Sequence, residues 1–198
     1  MSKVATGATM SLDGFIAGPN HDGFDYLFKW YNRGDVEVPT GDPEMTFRTS
    51  AASAEHLRNL YERLGSLVVG RTLYNITNGW GGRHPMDTTT VVLTHKRPDD
   101  RPEDDENFVF VSTGIEDAVA KAKELAGGKD VGLNGGTIAR QALEAGLLDE
   151  VHVDLVPVLL GDGIPFFGQI AGAPVEFDGP ISVVQGDGVT HLAYRVVH

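Results

Sequence analysis

The chain has no cysteine among its 198 residues, which excludes a disulfide scaffold, a cysteine nucleophile and any thiolate metal site. It has no apolar run near the ~18–20 residues that a membrane span needs. Its opening Met-Ser-Lys-Val-Ala-Thr-Gly-Ala-Thr-Met lacks the apolar core of a secretory leader. Basic residues are scarce: 16 Lys and Arg stand against 28 Asp and Glu, a formal net charge of −12. That balance argues against nucleic-acid and anionic-membrane partners, while a small anionic ligand could still find a local basic cluster. No GxSxG elbow is present, which removes the commonest serine-hydrolase arrangement. The expectation is a soluble, cytoplasmic protein with a small-molecule partner.

Hydrophobic residues make up 41% and charged residues 22%, so the chain can fold. A chain of this length buries roughly 70% of its unfolded surface. One domain over 1–198 is expected, with a long excursion over 18–50 rich in Gly, Pro, Asp and Thr. Short apolar runs at 4–10, 66–69, 90–94, 108–111, 131–134 and 150–160 read as strands, the last interrupted by Pro157. The β-branched runs at 66–69 and 90–94 suit strands covered on both faces of a parallel sheet. Helices are expected over 53–64 with Ser53 as cap, from a capping-box pattern at 113–116 to about 126, and over 137–145. The acid-rich 99–107 reads as a solvated loop. Runs at 181–185 and 189–197 flank Gly186-Asp187-Gly188, a hairpin turn. The fold class is therefore α/β: three layers, a mainly parallel sheet flanked by helices, and an antiparallel C-terminal hairpin.

Three segments follow strands and could hold phosphate. Asn134-Gly-Gly-Thr-Ile138 joins a strand to a helix start through two glycines, where unpaired N–H groups favour anions. Thr94-His-Lys-Arg97 is the densest basic cluster in an acidic chain, and Gly70-Arg-Thr72 repeats the pattern of glycine, cation and hydroxyl. A tight turn, a solvated turn paired with nearby acids, and an exposed arginine account for the same residues one at a time. Together they point to the carboxyl edge of a parallel sheet, where open α/β folds bind nucleotides. Asp13, in Ser-Leu-Asp-Gly, is a candidate proton donor, or else a turn cap. Trp30 and its neighbours Phe24, Tyr26, Phe28 and Tyr31 could stack on a flat heterocycle in a loop that orders on binding, or could fill a satellite core. His152 and Asp154 share a strand face without a third ligand, so no metal is expected.

Six motifs in order resemble the dihydrofolate-reductase-like superfamily, and more closely the reductase domain at the C-terminus of bifunctional riboflavin-pathway deaminase/reductases. They are Met10-Ser-Leu-Asp-Gly-Phe-Ile-Ala17, Val68-Val-Gly-Arg-Thr-Leu-Tyr74, Val91-Val-Leu-Thr-His-Lys96, Val131-Gly-Leu-Asn-Gly-Gly-Thr137, Ala145-Gly-Leu-Leu-Asp-Glu-Val-His152 and Val156-Pro-Val-Leu-Leu-Gly-Asp-Gly-Ile-Pro-Phe-Phe167. The resemblance implies an NADPH-dependent reductase, with a ribosylaminopyrimidine as the family's substrate. It implies that Gly70, Arg71 and Thr72 line the cofactor's phosphates and that Thr94, His95 and Lys96 receive its 2′-phosphate. Asn134, Gly135, Gly136, Thr137 and Ile138 would form the pyrophosphate loop, and Ala8, Ile16 and Ala17 would lie near the nicotinamide. The acid with which dihydrofolate reductases hold the pterin has no clear counterpart, Asp25 being a weak one, and no deaminase motif is present. A non-catalytic NADP-binding protein and a dihydrofolate reductase proper are the alternatives. Relatives of this kind imply a homodimer. The alternation Val189, His191, Ala193, Arg195, Val197 against Thr190, Leu192, Tyr194, Val196 gives the last strand two faces to cover.

Overall fold

Alternation along the first strand decides how the sheet is covered. In β1 (Val4–Ser11) Val4 and Thr6 are fully buried on one face, while Ala5, Gly7 and Thr9 alternate with them on the other. A computed structural model describes residues 2–99 and 105–197. In chain order the other strands are β2 (Phe15–Ala17), β3 (Val36–Pro39), β4 (Thr46–Thr49), β5 (Leu64–Gly70), β6 (Thr89–Leu93), β7 (Phe108–Val111), β8 (Asp130–Asn134), β9 (Glu150–Val156), β10 (Ile164–Pro165), β11 (Phe177–Gly186) and β12 (Val189–Val196). The helices are α1 (Phe24–Leu27), α2 (Ala51–Arg63), α3 (Arg71–Ile76), α4 (Ile115–Leu125) and α5 (Thr137–Glu144).

Eight strands form one sheet in the order β11-β12-β9-β1-β8-β5-β6-β7, parallel from β9 to β7 and antiparallel across β9-β12-β11. The fold is the α/β class that the sequence predicts. One face packs Val4, Val68, Val91, Val131, Leu133 and Val151 against the apolar stripes of α4 and α5. The opposite face is covered only at its flanks. There α2 packs Ala54 and Leu57 over Val156 and Val189, and α3 packs Tyr74 over Val69 and Val92. Between the flanks, β1, β8 and β9 present Ala5, Gly7, Gly132, Glu150, His152 and Asp154 to an open cleft. The expectation of cover on both faces therefore holds for β5 and β6, while the central strands are covered on one face only.

Several boundaries differ from expectation for local reasons. The cap of α2 is Ser50, whose Oγ accepts the Ser53 N–H at 3.3 Å, so Ser53 lies inside the helix and points into the core. Gly65 sits within β5, where a Cβ would lie 2.7 Å from Ala126 Cα, so the close packing there requires glycine. Gly114 and Gly136 occupy the N-cap positions of α4 and α5, and neither Thr113 nor Thr137 makes a capping bond. Pairing of β9 ends at Val156, before Pro157. In the last strand the buried face is Val189, His191 and Ala193, against α2, while Leu192 and Val196 pack on the other side. Much of the acidic 99–107 stretch lies outside the described residues.

The 18–50 excursion is built rather than loose. It holds α1, a 3-10 turn (Lys29–Asn32) and the β3–β4 hairpin. Trp30 is only 1% exposed, packs with Leu27, Val38, Leu57 and Val156, and donates its indole N–H to Thr9 Oγ1 at 3.3 Å. The satellite-core reading of Trp30 is the one the packing supports. Trp30→Ala is expected to cost ~3–5 kcal/mol, roughly 10 °C of melting temperature, with nucleotide affinity unchanged. A thermal melt within two degrees of the parent would show that Trp30 is not a core residue.

Candidate active-site cleft

The open strip of sheet is the floor of a cleft of about 1710 Å³. Its walls are α2 with the excursion on one side and α3 with the following loop on the other. The hairpin tip closes over the top, where Gly41 N–H donates to Pro85 O at 2.6 Å. Single small-ligand pockets run ~300–1,000 Å³, so this space suits a large ligand or two molecules side by side. Every residue tied to a nucleotide by resemblance lines it: Ala8, Ile16, Ala17 and residues 70–72, 94–96 and 134–138. Asp13 and Trp30 are not among the lining residues, whereas Phe24, Phe28, Tyr31 and Phe47 from the excursion are.

At the carboxyl edge of the parallel strands, backbone is bare. A Cβ at Gly135 would press against Ile16 Cδ1 at 3.0 Å and Ala8 Cβ at 3.4 Å, and Gly136 sits at φ 75°, which favours glycine. No side chain caps α5, so its first N–H groups face this edge unpaired by a cap. Arg71 bridges the neighbouring loop, its guanidinium donating to Lys96 O at 2.8 Å and lying 3.4 Å from Thr94 Oγ1. Arg71, Lys96, Arg97, Pro98 and Asp99 line a smaller recess of about 400 Å³. Lys96 Nζ meets Asp99 at 2.9 Å in a pair exposed on both sides, worth only ~0–1 kcal/mol, so it can open for a stronger anion.

The floor carries charge that sequence spacing did not bring together. Asp154 and His191 are direct cross-strand partners of β9 and β12, with Oδ1 to Nδ1 at 2.6 Å. His191, 1% exposed, also contacts Ser53 Oγ through Nε2 at 2.8 Å. His56, from α2, stacks on His191 with ring centroids 4.1 Å apart and an interplanar angle of 16°. Burial, then the neighbouring His191, pushes His56 down to about 4 against the opposing pull of Asp154. Along β9, Glu150 contacts His152 Nε2 at 3.0 Å and pairs with Lys3. Burial would raise Glu150, but these two partners outweigh it and hold it below its ordinary range. His152 and Asp154 share a face as their spacing says. His56, Ser53 and His191 were missed, because only the register of β12 and the depth of α2 bring them there.

At the rim, residues 78–82 run through the left-handed region, with Trp80 held at φ 48° and its ring 4.3 Å from His84. His84, half-buried, accepts the Met86 N–H through Nδ1 and is pushed down to about 4 by desolvation. Such a strained aromatic at a cleft is a site feature that composition does not reveal.

Asp13 lies behind this arrangement. Its carboxylate accepts from Ser11 Oγ at 2.5 Å and from the amides of Leu160 and Gly161 at 3.2 and 2.7 Å. The Ser11 bond above all, then the amides, holds it below the usual carboxylate range against desolvation. Asp13 thus accepts three hydrogen bonds from within the protein and does not line the cleft. Asp13 instead ties the turn after β1 to the loop that leads into β10, which pairs with β2 on the cleft wall.

The sequence matches the family model described as RibD C-terminal domain over residues 2–177. This chain belongs to that family. It is 26% identical over 177 residues to the uncharacterized protein YyaP of Bacillus subtilis, covering 83% of this chain and 80% of the relative. Among solved structures it is similar to a putative riboflavin biosynthesis protein from Shewanella sp. PV-4, with a TM-score of 0.71, 22% identity and 99% of each chain covered. It also resembles dihydrofolate reductase from Enterococcus faecalis, with a TM-score of 0.57, 16% identity and coverage of 99% of this chain and 97% of that one. The RibD C-terminal domain family therefore has here a member with the dihydrofolate-reductase-like fold. Among the described residues no helix is long and apolar enough to cross a membrane.

Two outcomes follow from the site's titrating groups and its latch. His56 and His84 are neutral in the fold down to about pH 4, whereas an unfolded chain takes up those protons near ~6.5. The unfolded state binds more protons in that window, so the melting temperature should fall as pH drops from 6.5 to 4. The His56→Gln, His84→Gln double variant should fall less steeply, and parallel slopes in thermal melts would count against the assignment. Asp13→Ala is expected to lower the melting temperature by a few degrees while nucleotide affinity stays within about twofold. An unaltered melt would show that the latch carries no load.

Proposed function

We propose that this protein is an NADPH-dependent reductase of a small heterocyclic substrate, a ribosylaminopyrimidine of the riboflavin-pathway type being the leading candidate. The observation that carries the reading is the conjunction of bare glycine backbone, an uncapped helix start and a basic recess along one edge of a cleft large enough for two ligands. The donor set fits a dinucleotide phosphate. Gly135, Gly136, Thr137 and Ile138 would take the pyrophosphate, Arg71 and Thr72 its flank, and Thr94, His95 and Lys96 the 2′-phosphate. When bound, the cofactor supplies a hydride at its nicotinamide ring.

The remaining work belongs to the chain. Ala8, Ile16 and Ala17 offer a flat, mostly apolar wall that would keep water from the ring face. Tyr31, stacked between Trp30 and Phe47 with centroids 4.0 Å away on each side, gives the heterocycle a rigid aromatic wall. With Asp13 engaged elsewhere, water serves as the proton source. The relatives' names support the substrate class: one solved neighbour, from Thermotoga maritima, is a diaminohydroxyphosphoribosylaminopyrimidine deaminase/5-amino-6-(5-phosphoribosylamino)uracil reductase. We also propose a homodimer, because β11 is an exposed edge strand carrying Ile181 and Val183 at 39% and 58% exposure.

Lys96→Ala should weaken NADPH by roughly 10- to 100-fold and leave NADH nearly unchanged, since a charge-assisted phosphate contact is worth ~1.5–3 kcal/mol. Asp99→Ala, which frees Lys96, should strengthen NADPH slightly. Equal losses for both cofactors in titration calorimetry would remove the 2′-phosphate assignment. NADPH oxidation followed by absorbance over a panel that includes dihydrofolate and the ribosylaminopyrimidine tests the reaction. Tight NADPH binding with no turnover across the panel would favour the non-catalytic alternative.

A further inference from the structure

The His56, Asp154 and His191 side chains bring three donor atoms within 4.8 Å of one another, a spacing that invites a metal ion. Ring geometry excludes it. A metal lies in the plane of each imidazole that binds it, about 2 Å from the nitrogen. The two rings here are stacked 4.1 Å apart at 16°, so their planes share no point within reach of both nitrogens. Asp154 Oδ1 and His191 Nδ1, at 2.6 Å, are at hydrogen-bond distance. The same cluster reads as a chain of hydrogen bonds: Ser50 Oγ donates to Ser53 Oγ at 3.2 Å, Ser53 Oγ donates to His191 Nε2, and His191 Nδ1–H donates to Asp154 Oδ1. Every polar atom of the chain is satisfied up to the carboxylate. Even the β11–β12 turn conforms to it, because a Cβ on Gly186 would collide with Ser53 Oγ.

The chain ends in the cleft. Asp154 lines it, and among the described residues its Oδ2 carries no hydrogen bond. His56, beside it on the wall, has no hydrogen bond either, its Nε2 standing 3.8 Å from Oδ1. Lys3, just before β1, is engaged by Glu150, and Arg63 at the end of α2 also lines the cleft. The floor is thus an aimed carboxylate, with free lone pairs on both oxygens, next to a stacked imidazole that makes no hydrogen bond. Such a floor attracts N–H donors and repels phosphate.

We propose that Asp154 recognises the substrate by accepting two adjacent N–H groups from the edge of a cyclic amidine or aminopyrimidinone, with His191 and Ser53 as positioning residues that hold its carboxylate in place. The inference rests on the reductase reading for what happens next to the ligand, but not for the binding itself. A substrate that also bears a phosphate would turn that group away from Asp154.

The probes are 2-amino-4-pyrimidinone, which has the two adjacent donors, and 4-pyrimidinone, which lacks the amino group. Both are titrated calorimetrically into the full chain, with and without saturating NADPH. The amino compound is expected to bind at least tenfold more tightly. Asp154→Asn should weaken it by roughly 10- to 100-fold and erase the preference, with NADPH affinity within twofold. His191→Ala should show a partial loss that His191→Asn recovers, because the Asn amide can donate from near the Nδ1 position; loss of structure alone would not be rescued in this way. Equal binding of the two probes to the parent protein, or an Asp154→Asn variant that binds as the parent does, overturns the proposal. The parent comparison needs no variant to fold. Failure of NADPH to bind would defeat the reductase reading while leaving the probe comparison intact.

Discussion

A parallel strand between two layers of helices is normally apolar on both sides, and the central strands of this sheet can afford that on one side only. Val4, Val131, Leu133 and Val151 anchor one face to α4 and α5, and that burial carries the stability of the sheet centre. The opposite positions are alanine, glycine, carboxylate and imidazole, which no helix could cover without stranding charges in an apolar layer. The two helices on that side consequently stand apart, and the gap between them is the cleft. Everything functional in the molecule depends on this asymmetry.

The edges of the gap are specialised by different means. At the carboxyl ends of the strands the chain removes side chains, so that backbone N–H groups and a few cations face the cleft in an otherwise acidic protein. At the roof and rim it uses backbone ties: Gly41 to Pro85, the left-handed turn through Trp80, and the Asp13 carboxylate that binds the Leu160–Gly161 amides. These ties fix the loops without occupying the cleft. On the floor stands a cross-strand pair, His191 and Asp154, held from behind by a serine of α2. A buried polar network of this kind is stable only if each member is satisfied, and this one is, apart from the oxygen that faces the cavity.

The balance between Ser50 and Ser53 shows how small choices propagate. Ser50 takes the capping role, which spares Ser53 the backbone N–H it might otherwise bind. Ser53 can then reach His191, and the helix begins three residues earlier than a Ser53 cap would allow. Gly186 completes the fit by leaving room for that hydroxyl.

That residues 70–72, 94–96 and 134–138 share one edge of the cleft was legible from sequence, because strand, glycine and cation are local signals and parallel topology collects strand ends on one side. The hairpin at Gly186–Gly188 and the order of strands and helices were legible for the same reason. Asp13 and Trp30 were not: an acid in a turn and an aromatic in an excursion have the same local signature whether they face ligand or core, and only the 160–161 loop and the α2 layer decide between them. His56, His191 and Asp154 lie 56, 191 and 154 residues along the chain with nothing local to link them. Their meeting depends on the register of β12 against β9, and a slip of one residue would have turned His191 to the opposite face.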